Sequence, residues 1–140
     1  MTEDKYKNLS SLILKAGAEY RRALSSLLRP YQVSILQLEG LRIINETKFI
    51  IGVEFVKTNL PQSGVDVSRM IDELKRRGFV TRTRSSSDRR SVHIKITPAG
   101  KTILSEIEKK SFENKLLNHL REDEIEELKI VLIKISKKGG

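Results

Sequence analysis

Between Arg69 and Lys101, ten Lys and Arg residues stand against three Asp and Glu, a net charge of +7 within a 140-residue chain whose total is +9. Residues 1–68 carry nine basic against seven acidic side chains, and residues 102–140 carry eight against eight. Charge confined to a quarter of the chain is a surface aimed at a polyanion, not an evenly solvated exterior. Its chemistry is that of guanidinium groups: a planar fork that bonds bidentately to phosphate or guanine, and a cation that enters a narrow, negative minor groove. The candidates of that type are Arg69, Arg82, Arg84, Arg89 and Arg90.

Two kinds of element must position them. SRMIDELKRRG (68–78) is a helical run with Met70, Ile71 and Leu74 at helical spacing, and Gly78 supplies its stop. FVTRTR (79–84) and SVHIKIT (91–97) alternate; in the second, Val92, Ile94 and Ile96 share a face opposite His93 and Lys95. SSSDRR (85–90) lies between them, polar and basic throughout, and predicts a β-hairpin with a protruding charged tip. A helix followed by such a hairpin is the shape that a winged helix-turn-helix presents to DNA.

Other chemistry finds little support. His93 and His119 are isolated and make no metal-binding spacing, there is no Gly-rich phosphate loop, and no Ser/His/Asp set appears. Residues 122–127 are acidic, which reads as a solvated helix start favoured by the helix dipole. An enzyme, a metal site and a cofactor are therefore not expected. The chain has no cysteine, which removes disulfides, thiol sensing and thiolate ligands together. No apolar run approaches the roughly 18 residues of a membrane span, and MTEDKYKN lacks the layout of a signal peptide. The expectation is a cytoplasmic protein with no membrane partner.

The remaining chain reads as helices around this unit. Residues 4–29 carry Leu9, Leu12, Ile13, Ala16, Tyr20, Ala23, Leu24 and Leu27 near one stripe, which Pro30 ends. Ser34 and Gln37 form a capping box that opens a helix to about Asn45. A turn and a short β-like run (49–51) follow, then a short helix at 53–59 closed by Leu60-Pro61. Ser63 and Asp66 make a second capping box, predicting that the next helix starts at Ser63 and runs to Arg77. Thr97-Pro98 starts another helix, along which Ile103, Ile107, Phe112, Leu116, Leu117 and Leu120 read as one stripe. A last helix carries Ile125, Leu128, Val131, Leu132 and Ile135. A hydrophobic content of 38% with 32% charged residues is low for an isolated globule. It suits a helical chain whose long outer helices bury their stripes against a second copy.

In this order and spacing, five segments make the whole chain resemble the multiple antibiotic resistance regulator (MarR) family of transcription regulators. They are VSILQLEGLRII (33–44), VSRMIDELKRRGFV (67–80), DRR (88–90), ITPAGKTIL (96–104) and LREDEIEELKIVLIKI (120–135). The resemblance implies a mainly α fold with a small β-hairpin wing: a winged helix-turn-helix core at 33–97, and dimerisation helices at 1–30 and 98–140 of one domain. It further implies a homodimeric, sequence-specific binder of double-stranded DNA, more often a repressor, acting on a pseudo-palindrome. Asp66, Pro61, Gly64, Lys57 and Gly40 depart from the family pattern.

By this resemblance Arg90 reaches into the minor groove and Asp88 orients the wing arginines, with Arg89 a neighbouring phosphate or groove contact; the alternative is a salt bridge that merely closes the hairpin. Gln62, Ser63, Asp66, Ser68 and Arg69 occupy the turns that would enter the major groove. Asp66 has a second reading as a helix cap, and Lys75, Arg76 and Arg77 are explained by the helix dipole alone. Arg82 and Arg84 extend the basic strip as phosphate binders. The resemblance also implies a small aromatic ligand in a cleft beside the dimer helices, with Tyr20, Leu27 and Tyr31 as candidate lining; their other reading is core or interface. Two rival functions remain at this stage: a nonspecific architectural nucleic-acid binder, and a protein–protein module on a winged-helix scaffold.

Overall fold

The computed structural model describes residues 2–47, 51–61, 66–84 and 92–139. Helix α1 (Thr2–Leu28) is followed by a single 3-10 turn at Arg29–Tyr31, where Pro30 can sit because that position donates no helical hydrogen bond. Helix α2 (Ile35–Glu46) begins at the predicted capping box. The Gln37 amide donates to Ser34 Oγ and the Ser34 amide to Gln37 Oε1, both at 3.0 Å. Then come α3 (Val53–Asn59), α4 (Val67–Arg76), strands β1 (Val80–Arg84) and β2 (Val92–Ile96), and helices α5 (Pro98–Lys109), α6 (Phe112–Leu117) and α7 (Glu122–Gly139). This mainly helical chain with a two-stranded antiparallel hairpin is a winged helix-turn-helix. The β-like run before α3 survives as one bridge: the Ile94 amide donates to the Ile51 carbonyl at 2.9 Å. Residues 49 and 50 lie outside the described residues.

One apolar core runs through these elements. Leu24 and Leu28 of α1, Leu38, Leu41 and Ile44 of α2, Val56 of α3, and Val67, Met70, Ile71 and Leu74 of α4 meet Val80, Ile94, Leu104, Ile107 and Phe112. Gly40 brings α2 against α4: a Cβ there would lie 2.7 Å from Met70 Cε, so the long Met70 side chain fills the place a larger residue at 40 would occupy. The departure at Gly40 is thus compensated from across the helix pair.

Two expectations are corrected. The described helix after Asn59 starts at Val67, and Ser63, the expected start, lies outside the described residues. The cap of that helix is Asp66, whose Oδ1 accepts from the Arg69 amide at 3.0 Å, and α4 begins at Val67. Only from there do Val67, Met70, Ile71 and Leu74 fall on one buried face. The segment after Thr97 is not one helix either, because it turns at Ser111, which has φ 50°. Ile107 and Phe112 are both buried, yet in a continuous helix they would project about 140° apart; the corner brings both into the same core.

Candidate nucleic-acid interface

Helix α4 is held at both ends so that its polar face is fixed in orientation. Asp66 caps the start. At the finish Gly78 adopts φ 79°, its amide donates to the Lys75 carbonyl at 2.9 Å, and the Phe79 amide donates to the Leu74 carbonyl at 2.9 Å. This is the paired-bond stop in which glycine carries the left-handed residue without a Cβ penalty. With Val67, Met70, Ile71 and Leu74 buried, Ser68, Arg69, Asp72, Lys75 and Arg76 form the exposed face.

The wing is built onto that helix. Thr97 joins the two: its hydroxyl donates to the Gly78 carbonyl at 2.6 Å and accepts from the Gly100 amide at 3.0 Å, while its own amide donates to the Phe79 carbonyl at 3.0 Å. Strand register pairs Val80 with Ile96, Arg82 with Ile94 and Arg84 with Val92. Arg82 and Arg84 therefore share the face of buried Val80 and lean toward α4 rather than away from it. Arg82 Nη1 lies 2.6 Å from Asp72 Oδ1, with only a quarter of the Arg82 side chain exposed. Arg84 lines a cleft of about 260 Å³ with Asp72, Lys75, Arg82, Thr83 and Val92.

The carboxylates of α4 are all engaged. Asp66 caps, Asp72 holds Arg82, and Glu73 holds Arg76 at 2.7 Å. Among the described residues no carboxylate pairs with Arg69, Lys75 or Arg84. The helix thus offers cations outward while its acids are occupied by partners of the same chain. That arrangement accepts a phosphate backbone without an unpaired carboxylate opposing it.

Arg77 leaves this surface. Its guanidinium donates to the carbonyls of Gln32 and, at 3.2 Å, Tyr31, and it lies 4.7 Å from the centre of the Phe79 ring. It pins the end of α4 to the joint between α1 and α2, a specific structural role that the dipole argument did not foresee. Ser68 and Arg69 stand on the exposed face, and Arg82 is internally paired. Gln62, Ser63, Asp88, Arg89 and Arg90 lie outside the described residues.

The three proposed ligand-lining residues all pack against the one apolar core. Tyr31 meets Phe112 edge-on with ring centres 6.2 Å apart, and Leu27 is half-buried against the core. Tyr20 lies beside Glu113, Arg42 and Glu39; burial foremost, then the Glu113 carboxylate, pushes its hydroxyl above the ordinary phenol range against the opposing Arg42 charge. A larger cleft, about 490 Å³, opens between α2 and α5, lined by Arg42, Asn45, Glu46, Lys101, Leu104, Ser105 and Glu108. Neither cleft is lined by Tyr20, Leu27 or Tyr31. Among the described residues there is no group of three or more His, Cys, Asp or Glu that could hold a metal ion, and no helix is long and apolar enough to cross a membrane.

Comparison with known proteins converges on this surface. The sequence model of the MarR family matches residues 66–92, which are α4, the wing strand β1 and the segment leading into β2. The multiple antibiotic resistance protein MarR of Salmonella typhimurium is 28% identical over 130 residues, covering 91% of this chain and 90% of that protein. A mutant MarR from E. coli, complexed with operator DNA, superposes with a TM-score of 0.80 at 26% identity, over 94% of this chain and 96% of that one. Together these matches support a MarR-family winged-helix regulator. The transcriptional regulator BldR from Sulfolobus solfataricus shares the fold end to end, with a TM-score of 0.80 over 99% of both chains at 24% identity. DNA binding and transcription regulation are the activities these matches support, and the relatives matched are regulators rather than enzymes.

Proposed function

We propose that this MarR-family regulator acts as a homodimer on a pseudo-palindromic operator and represses transcription there. The observation that carries the reading is the exposed face of α4, where Ser68, Arg69 and Lys75 point outward while Asp66, Asp72 and Glu73 are internally engaged. In this reading residues 33–97 are the reading head. Gln62, Ser63, Ser68 and Arg69 meet the major groove beside the Asp66 cap, Arg84 and the Asp72-paired Arg82 meet phosphates, and Asp88, Arg89 and Arg90 form the tip of the wing in the minor groove.

Residues 1–30 and 98–140 form the dimer. Supporting this, every side chain from 4 to 19 and from 126 to 137 is exposed, among them Leu9, Leu12, Leu14, Leu128, Val131, Leu132 and Ile135. Apolar stripes of that length on two helices call for a second copy, and two-fold symmetry in the protein calls for two half-sites in the DNA. Repression follows from occupancy, since a dimer spanning two successive grooves blocks the same stretch to polymerase. Release by a small aromatic ligand near Tyr20, Leu27 and Tyr31 completes the proposal; it rests on the family relationship.

The test is binding to the duplex upstream of the protein's own gene at near-physiological salt, beside a scrambled duplex of equal length. Selective binding that Arg69→Ala and Arg90→Ala each weaken by about 1–3 kcal/mol supports the reading. Equal, steeply salt-dependent binding to both duplexes favours a nonspecific architectural protein, and no binding favours a protein-interaction module.

A further inference from the structure

We propose that Arg42 fixes the angle at which each reading head is carried on the helices that join the two copies, and so sets the half-site spacing that the DNA must have. The inference deepens the two-headed reading above and rests on it.

Arg42 stands on α2, inside the reading head, with only 23% of its side chain exposed. Its guanidinium reaches three carboxylates on three helices. Nε lies 2.7 Å from Glu108 Oε1 and Nη2 lies 3.3 Å from Glu108 Oε2, a two-bond fork onto the last turn of α5. Nη2 also lies 2.6 Å from Glu113 Oε1 in the first turn of α6, and Nη1 lies 3.3 Å from Glu39 Oε1 on α2 itself. Glu108 and Glu113 stand on opposite sides of the corner at Ser111. One side chain therefore clamps the corner and ties it to α2.

Apolar packing cannot supply that constraint by itself. Leu38 and Leu41 of α2 share a core with Leu104 and Ile107 of α5, but burial is non-directional and tolerates sliding of one helix along another. Hydrogen-bonded forks have direction as well as strength. Beside the fork, the cleft of about 490 Å³ between α2 and α5 leaves room for the helices to shift if the fork is lost. Removing the guanidinium would also leave Glu39, Glu108 and Glu113 facing one another without a cation, which pushes the helices apart. Burial acts against the Arg42 charge, yet the bonds to Glu108 and Glu113 outweigh it and hold the group above the ordinary arginine range, so the clamp stays charged. The recognition surface on α4 lies at the end of a lever from this point, and a small rotation at α2 becomes a displacement along the DNA.

The experiment uses the full chain and duplexes built on the operator recovered by selection from random DNA. Each duplex keeps both half-sites, with one base pair inserted, one deleted, or neither. Wild-type affinity is expected to drop at least roughly tenfold on insertion or deletion. Arg42→Met is expected to weaken binding at the native spacing by roughly tenfold and to shrink the difference between spacings to about threefold. Arg42→Lys keeps the charge without the fork and should fall between. Sedimentation and circular dichroism establish that each variant is a folded dimer. Should Arg42→Met fail to fold, Glu113→Gln, which leaves the Glu108 fork in place, should still narrow the spacing preference. A folded Arg42→Met dimer with the wild-type spacing profile overturns the proposal, as does an unchanged profile for Glu113→Gln where that variant stands in. A wild-type protein indifferent to spacing overturns the two-headed reading, and the proposal with it.

Discussion

Asp66 has two possible employments, base contact and helix cap, and the geometry gives it the second, with its Oδ1 3.0 Å from the Arg69 amide. Asp66→Ala should therefore lower stability by about 1 kcal/mol in urea denaturation, whereas Asp66→Ser, which keeps a cap, should lose little. A fall in DNA affinity for Asp66→Ser at unchanged stability would add base contact to its role. Asp72 is the more consequential acid on the same face, because it occupies Arg82 at 2.6 Å. Asp72→Asn removes one negative charge from the reading surface and frees one guanidinium for phosphate. Its affinity for scrambled DNA should rise, and the dependence of log affinity on log salt should steepen by about one; an unchanged slope would show that Arg82 never reaches the backbone. The sequence made Arg82 visible as a cation but not as a paired one. Its partner lies ten residues back on another element, and only the strand register turns the two toward each other.

At the scale of elements, two glycines give opposite predictions. A Cβ on Gly100 would lie 2.7 Å from Ile96 Cγ1 and closer still to the Phe79 carbonyl oxygen, where the start of α5 presses on the exit of α4. The carbonyl already accepts the Thr97 amide and cannot withdraw. Gly100→Ala should cost about 2–3 kcal/mol in thermal or chemical denaturation, the range of an overpacked core site. Gly40→Ala meets only the flexible end of Met70, and the roughly 1 kcal/mol gained by replacing a mid-helix glycine offsets the displacement, so its stability should stay near wild type. Most starts and stops were legible because they are local: Ser34 with Gln37, Thr97 with Pro98, and Gly78 each act within a few residues. The start of α4 was misplaced because Ser63 and Asp66 are both competent caps, and burial of Val67 and Met70 decides between them. The corner at Ser111 was missed because no Gly or Pro marks it; only the change of phase between Ile107 and Phe112 does. The Arg42 clamp had no sequence signal, since Glu108 and Glu113 lie 66 and 71 residues away.

Across the whole molecule, the unequal distribution of charge and apolar surface divides the labour. The excess charge sits on α4 and the wing, while the ends of the chain are nearly neutral and carry the exposed apolar side chains. Helix α7 is the extreme case: Leu128, Val131, Leu132 and Ile135 lie on one side, and Ile130 and Ile133 roughly opposite. A helix apolar on two sides is one that is packed from two sides, and the first half of α1, with Leu9, Leu12 and Ile13 exposed on one side and Leu14 roughly opposite, offers the same character. Replacing both Leu128 and Leu132 by Glu should yield monomers in sedimentation equilibrium, with the reading head still folded because neither residue belongs to its core. Such a monomer keeps every residue that touches DNA but only one copy of each. In the proposed dimer each head neutralises half the phosphates, so the salt slope of binding should fall to about half the wild-type value, and discrimination between operator and scrambled DNA should shrink with it. A double variant that stays dimeric would place the interface on other surfaces. A monomer with full operator affinity would mean that one head is sufficient, and that the symmetry of the site contributes nothing to recognition.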